Sequence, residues 1–323
     1  MRDVEIFHQL VQWLAQSRTV WLCTVLQTWG SSPRPRGSLL VCNDAGEFAG
    51  SLSGGCVEDD LIARIAAGEF TAPVTRLRYG ATAEEAERLQ LPCGGILDIA
   101  IEKIEPLPVS RNTVAAIAKA LDRRQRIVWD RHYPDGYFAL GDAAADTPLL
   151  AVRENHAGEL TAICHCLGPQ YRLLLIGVSE VSRAVAQLGL LLDYDVMVCD
   201  PRRDARERWD VPDVTLLAQL PDDAVREHAD DSHCAILALT HDPRLDDMGL
   251  MEAFNTRAFY IGAMGSLRTS QKRRERLQLL DVTEQQLLRL HAPIGLDTGS
   301  KTPMEIAVSV MAQLTAVRAG KCR

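Results

Sequence analysis

The chain has 323 residues, enough for about two domains with a core each. Its net charge of −8 argues against a nucleic-acid partner. No stretch approaches the roughly 18 consecutive apolar residues of a membrane span. Met1-Arg2-Asp3-Val4-Glu5 also lacks the basic-then-apolar order of a secretion signal. The nine cysteines are odd in number and scattered, so a reducing cytoplasm is expected rather than a disulfide framework.

Phe7, Leu10, Val11 and Leu14 share one face of an opening helix. Residues 20–26, apolar and β-branched, read as a strand. Trp29, beside the loop that follows, is expected to pack rather than to serve as a stacking platform. The run Gly30-Ser31-Ser32-Pro33-Arg34-Pro35-Arg36-Gly37 sets Arg34 and Arg36 on a stiff loop, where guanidinium forks suit phosphate or a pterin-like heterocycle. Residues 39–42 form a second strand. Cys23 and Cys42, inside these strands, read as core. After a turn at 43–46, residues 47–49 begin the approach to the stretch around which the chain is organised.

That stretch is Gly50-Ser51-Leu52-Ser53-Gly54-Gly55-Cys56-Val57-Glu58-Asp59-Asp60. Gly54 and Gly55 permit positive φ and close backbone approach. Val57, Leu61, Ile62 and Ile65 have helical spacing, which puts Cys56 at a helix N-terminus. The helix dipole favours a thiolate there, and Glu58, Asp59 and Asp60 oppose it. Such a thiol can bind a soft metal or a sulfur species, act as a nucleophile, or be a small buried hydrophobe. A second Cys-Gly-Gly run, Leu91-Pro92-Cys93-Gly94-Gly95-Ile96, precedes a strand expected at 96–101.

Between these runs, residues 57–67 read as a helix, 75–79 as a strand and 83–89 as a helix. Glu105-Pro106-Leu107-Pro108 reads as a connector, and 112–121 as a helix. Strands are expected at 127–129, 137–140, 149–152 and 159–166. Cys164-His165-Cys166 lies in the last of these, and strand alternation sends its thiols away from His165. The domain boundary is expected at Gly168-Pro169, giving an N-terminal domain at 1–167 and a second at 168–323.

From Tyr171 the pattern becomes β-α-β. A strand at 172–176 ends at Gly177, a helix spans 178–192, and a strand at 196–199 ends at Asp200. A glycine after the first strand and an acid after the second is the Rossmann layout. A strand at 233–239, ending in Thr240-His241-Asp242, a helix at 245–255 and a strand at 258–261 continue it. The expected fold is therefore α/β: an N-terminal α+β domain, then a Rossmann-like doubly wound parallel sheet. The fingerprint reads Gly177-Val178-Ser179-Glu180-Val181-Ser182, with serines where glycines allow close approach and tight packing. Glu180 adds a negative charge where a phosphate would sit. The run Lys272-Arg273-Arg274, with Arg268 and Arg276, reads as an exposed helix face, with a partner patch as the alternative. Near the end, Thr302, Pro303 and Glu305 read as a capping box, and the loop before it, with Asp297, Thr298 and Lys301, can serve an anion, a solvated lysine being the other reading of Lys301.

The motifs Gly30-Ser31-Ser32-Pro33-Arg34, Ser53-Gly54-Gly55-Cys56-Val57-Glu58, Cys93-Gly94-Gly95, Thr240-His241-Asp242, Tyr260-Ile261-Gly262 and the run 291–303 resemble the XdhC/CoxI family. The middle of the chain, roughly 106–168, matches weakly, and the Gly177 loop departs from the fuller fingerprint of many relatives. The resemblance implies a molybdenum-cofactor chaperone, closest to the aldehyde oxidoreductase chaperones and not itself an enzyme. It would bind molybdopterin as cargo in the cytosine dinucleotide form, protect it during sulfuration and insert it into an apoenzyme. The implied cofactor-binding residues are Arg34, Arg36, Ser53, Gly54, Gly55, Cys56, Glu58, Cys93, Gly94, Gly177, His241, Asp297 and Lys301, with Cys56 also a metal ligand. The implied partners are a molybdoenzyme apoprotein of the xanthine dehydrogenase or aldehyde oxidase type and an L-cysteine desulfurase. A cofactor cytidylyltransferase is allowed as a further partner, and apolar helix faces suit a homodimer. The competing readings are an NAD(P)-dependent oxidoreductase and a protein adaptor that never touches the cofactor.

Overall fold

A computed structural model of the chain describes residues 3–29, 34–80, 96–133, 136, 138–144 and 147–321, with only the backbone of Cys56. The chain divides into two compact units, Met1–Pro169 and Gln170–Arg323.

The first unit opens with α1 (Asp3–Ala15), then β1 (Val20–Trp29), β2 (Leu39–Asn43), β3 (Phe48–Gly50), α2 (Cys56–Ala66), β4 (Val74–Tyr79) and β5 (Ile96–Ile104). Next come α3 (Pro108–Asp122), β6 (Ile127–His132), β7 (Phe138–Asp142), β8 (Leu150–Glu154) and β9 (Leu160–Leu167). The helix expected at 83–89 lies outside the described residues. Strands β3-β2-β1-β5-β4 form one antiparallel sheet and β7-β6-β9-β8 another. Alternation along β1 divides its side chains between two cores. Leu22 faces Phe7 and Leu10 of α1 and Ile117 of α3, whereas Cys23 and Val25 face Leu52 and the α2 residues Val57 and Leu61. Cys23 and Cys42 are core, as expected, and burial pushes the Cys42 thiol up to about 11 with help from Asp44.

Two expectations need correction here. Pro108 does not end a connector but opens α3. At the first helical position a proline sacrifices no intrahelical hydrogen bond. Trp29, expected to pack, stays 40% exposed at the end of β1.

Between the sheets lies a charge pair that the strand pattern hides. Arg131, fully buried, donates to the Glu102 carboxylate at 2.9 Å and lies over the Trp129 ring at 4.3 Å. Tyr133 donates to the other Glu102 oxygen. Close by, His165 is buried, and burial with the Arg131 charge holds it down to about 3.

The second unit runs β10 (Arg172–Ile176), α4 (Glu180–Leu191), β11 (Asp195–Cys199), α5 (Arg203–Glu207), β12 (Thr215–Leu217), α6 (Pro221–His228) and β13 (Cys234–Ala238). It continues with α7 (Pro243–Ala253), β14 (Tyr260–Ala263), α8 (Leu267–Leu279), α9 (Glu284–Leu287), β15 (Leu290–His291) and α10 (Pro303–Arg318). The sheet order is β12-β11-β10-β13-β14-β15, and each pair is parallel. In chain order that is the 3-2-1-4-5-6 arrangement of a dinucleotide-type Rossmann sheet. Val185 of α4 and Val310 and Leu314 of α10 cover one face. Val225 of α6, Leu250 of α7 and Leu277 of α8 cover the other.

The basic run of α8 is the clearest correction. Arg273 is 3% exposed: it donates to Asp246 at 2.7 Å and to the Met264 carbonyl at 2.9 Å. Arg276 pairs with Asp247 at 2.7 Å, and Arg274 donates to the carbonyls of Leu287 and Leu290. Only part of the run faces solvent, because Asp246 and Asp247 on α7 need cations once buried. Replacing Arg273 by methionine strands the Asp246 carboxylate and is expected to cost about 3–5 kcal/mol. Arg268→Met, at an exposed position, should stay within about 0.5 kcal/mol. Urea unfolding measures both, and equal midpoints would place Arg273 back among solvated arginines.

Candidate functional site

The loop before α2 is built around one carboxylate. Glu58, at the third helical position and 5% exposed, reaches back into the turn that precedes it. Its Oε1 accepts from the Ser51 hydroxyl at 2.9 Å and from the backbone N–H groups of Leu52 and Ser53 at 2.8 Å and Gly54 at 3.0 Å. Its Oε2 accepts from the Ser53 hydroxyl at 2.5 Å and the Gly55 N–H at 2.9 Å. Gly54 takes φ +88, a conformation glycine adopts without strain. Burial pushes the Glu58 carboxyl up, but the bonds from Ser53, Gly54 and Leu52 outweigh it and hold the group at about 2. The loop is thus an anion nest already filled from within. Gly54 and Gly55 are exposed on it, and Cys56 begins the helix.

Of the other residues singled out in this unit, Arg34 is half-buried, and its charge pulls down the Asp3 carboxyl, which burial raises to about 6. Arg36 is exposed. Cys93 and Gly94 lie outside the described residues, and so does any meeting of the two Cys-Gly loops. Among the described residues no group of three or more His, Cys, Asp or Glu is arranged to hold a metal ion.

In the second unit the carboxyl ends of the strands carry the remaining candidates. Gly177 takes φ +94, and a Cβ there would lie 2.2 Å from the Thr240 Cγ2. This close approach brings the Gly177 loop against the turn that holds His241, which is exposed. The serines of the altered fingerprint have structural roles. Ser179 caps α4 by accepting from the Ser182 N–H, and the buried Ser182 hydroxyl donates to the Gly177 carbonyl at 2.6 Å. Glu180 points its charge at Arg183. Asp200, where a dinucleotide ribose would bind, accepts from the Val178 N–H at 2.9 Å and pairs with Arg202 at 2.7 Å. Asp246 closes the neighbouring turn by accepting from the Thr240 N–H at 3.1 Å.

A cavity of about 500 Å³ opens outside the ends of β14 and β15. Met264, Leu267, Ile294, Leu296 and Ile306 supply apolar lining, and Asp297, Thr298, Ser300 and Ser309 supply polar groups. The expected capping box is present: Thr302 caps α10, and Glu305 accepts from the N–H groups of Lys301 and Thr302 at 2.9 and 3.0 Å. Those backbone donors are therefore occupied, while the exposed Lys301 side chain has no partner among the described residues.

Residues 13–80 match the model of the XdhC and CoxI family, and residues 173–314 match that of the XdhC Rossmann domain. The chain belongs to the XdhC/CoxI family. It is 24% identical to the molybdenum cofactor insertion chaperone PaoD of Escherichia coli K12, an alignment covering 95% of this chain and 86% of that one. It is 25% identical to a probable xanthine dehydrogenase subunit of Bacillus subtilis 168, covering 97% of each. A crystal structure described as a xanthine dehydrogenase from Bacillus halodurans has the same fold at TM-score 0.74 and 21% identity, covering all of this chain and 97% of that one.

In this XdhC/CoxI chain the Glu58 bonds make a measurable pH dependence. The folded-state pKa, about 2, is depressed from 4.5. Its contribution is therefore complete above about pH 4.5 and is lost as pH falls through about 2. Glu58→Gln is expected to lose roughly 2–4 kcal/mol at pH 7. Urea unfolding of both proteins across pH 2–7 should show the gap closing at the acid end. A gap constant down to pH 2 would count against an ionised Glu58.

Proposed function

We propose that this protein binds the molybdenum cofactor, molybdopterin in its cytosine dinucleotide form, as cargo. It shelters the cofactor while an L-cysteine desulfurase supplies the terminal sulfido ligand, then inserts it into a xanthine dehydrogenase or aldehyde oxidase-type apoenzyme. The observation that carries the reading is similarity to the cofactor insertion chaperone PaoD along 95% of this chain. The work is binding and transfer, with no substrate bond made or broken by the protein.

The local chemistry suits such a cargo in a particular way. The phosphates would not be held by the backbone of residues 52–55, because Glu58 already takes those donors. Exposed side-chain cations, such as Arg36 in the first unit, are the groups proposed to meet them instead. Cys56, the first residue of α2, is the residue proposed to meet a soft sulfur or molybdenum centre, because a thiolate is a soft ligand. No helix among the described residues is long and apolar enough to cross a membrane, and the proposed place of work is the cytoplasm.

One observation favours a second reading. The 3-2-1-4-5-6 sheet is the scaffold of NAD(P)-dependent oxidoreductases. Against it, Asp200 and the Val178 N–H are bonded to each other. Titration with NADH separates the two, since saturable micromolar binding belongs to the oxidoreductase.

Protein purified without oxygen from cells that make the cofactor is expected to retain molybdopterin, read by mass and by fluorescence of its oxidised pterin. Cys56→Ala should lose the cargo or fail to activate the apoenzyme. Unchanged retention and activation in that variant would remove Cys56 from the site. Normal complexes with desulfurase and apoenzyme but no pterin at any stage would make the protein an adaptor instead.

A further inference from the structure

We propose that the cavity outside β14 and β15 binds the 2-amino-4-oxopyrimidine edge that pterin and guanine share, with Asp297 reading its ring N–H and amino group. The choice of pterin as the expected source rests on the cargo reading above; the chemistry of the cavity does not.

The first observation is a carboxylate left over. At this end of the sheet Asp200 holds Val178 and Arg202, Asp242 holds Arg244, Asp246 holds Thr240 and Arg273, and Glu305 holds Lys301 and Thr302. Asp297, an exposed residue of the cavity lining, has no hydrogen-bond or ion-pair partner among the described residues. The other polar side chains of the cavity are satisfied. Thr298 and Ser300 bond each other, Ser300 donates to the Glu305 carbonyl, and Ser309 donates to the Leu296 carbonyl at 2.6 Å.

The second observation is the shape around it. A volume of about 500 Å³ lies in the ~300–1,000 Å³ range of small-molecule sites. Met264, Leu267, Ile294 and Leu296 offer apolar surface for the faces of a flat ring. The loop is also fixed in advance. Ile294 N–H donates to Ala263, Gly295 N–H to the Gln313 side chain at 2.8 Å, and Leu296 N–H to Ser309. Gln313 is itself held by the Tyr260 hydroxyl at 2.5 Å. A pre-formed site binds without first ordering its loop.

The ligand class follows from the donors a carboxylate can accept. Two oxygens on one carbon match two parallel N–H donors, as they do for a guanidinium. A 2-amino-4-oxopyrimidine presents such a pair in N3–H and the 2-amino group. Cytosine sets its amino group beside an unprotonated ring nitrogen, which a carboxylate repels. The pocket therefore selects the pterin end of a cytosine dinucleotide cargo over its nucleobase end.

The test is fluorescence and calorimetric titration of the full chain, purified free of cargo, with 6-hydroxymethylpterin, GMP and CMP. Saturable pterin binding is expected, with CMP at least about tenfold weaker. Asp297→Asn, which turns one acceptor into a donor, should weaken pterin at least about tenfold with an unchanged unfolding midpoint. GMP binding tighter than pterin, and lost in the same variant, would keep the chemistry and make guanine the source. No pterin or GMP binding, equal binding of CMP, or an Asp297→Asn protein that binds like wild type would overturn the proposal. Failure here separates from failure of the cargo reading. An Asp297→Asn protein that carries molybdopterin as wild type does removes this subsite and leaves the carrier. A wild type that binds hydroxymethylpterin through Asp297 but never carries the cofactor does the reverse.

Discussion

The Glu58 carboxylate, bonded to the turn from which its own helix starts, sets the character of the N-terminal unit. A turn that aims several N–H groups at one point is unstable unless something negative sits there. In many phosphate-binding loops that something is the ligand. Here it is residue 58, so the turn keeps its shape with or without cargo.

The same solution recurs in the Rossmann unit. Asp200 fills the Gly177 loop, Asp246 the Thr240 turn, and Glu305 the start of α10. Each is a place where the fold family can put a phosphate or a ribose. The six-stranded order is kept and its usual ligand contacts are not, which separates the fold from the function it often serves. Ser182 makes the point at one residue. A third glycine there would serve close helix–strand packing, and the serine instead bonds the Gly177 carbonyl.

How much of this was legible depended on whether the signal was local. The strand at Arg172–Ile176, the helix that starts at Cys56 and the Thr302 capping box are written in adjacent residues, and the structure has them. Nothing was assigned between Asp200 and His233, yet α5, β12 and α6 lie there. Strand β12 has only three residues at the sheet edge, too few to show a period. Charge misled where its partner was distant in sequence. Arg273 looks like a solvated arginine until Asp246, on another helix, is brought against it. Glu58 looks like a ligand residue until its oxygens are seen to be occupied. Asp297 drew attention for the helix behind it, while the apolar cavity it lines comes from segments around residues 264, 294 and 306 that no spacing rule connects.

A carrier must release what it binds, and this bears on why the nests are filled. Several backbone N–H groups closing on a phosphate give a rigid, strongly favourable site. Side-chain cations at exposed positions give weaker and screened attraction, and apolar walls hold a ring in proportion to the area they cover. Arg36 and Lys301 are exposed cations of this second kind, and the cavity beside Asp297 has apolar walls. Internal carboxylates thus close the nests from within, and under the proposed carrier role they leave the cargo to exchangeable side-chain contacts.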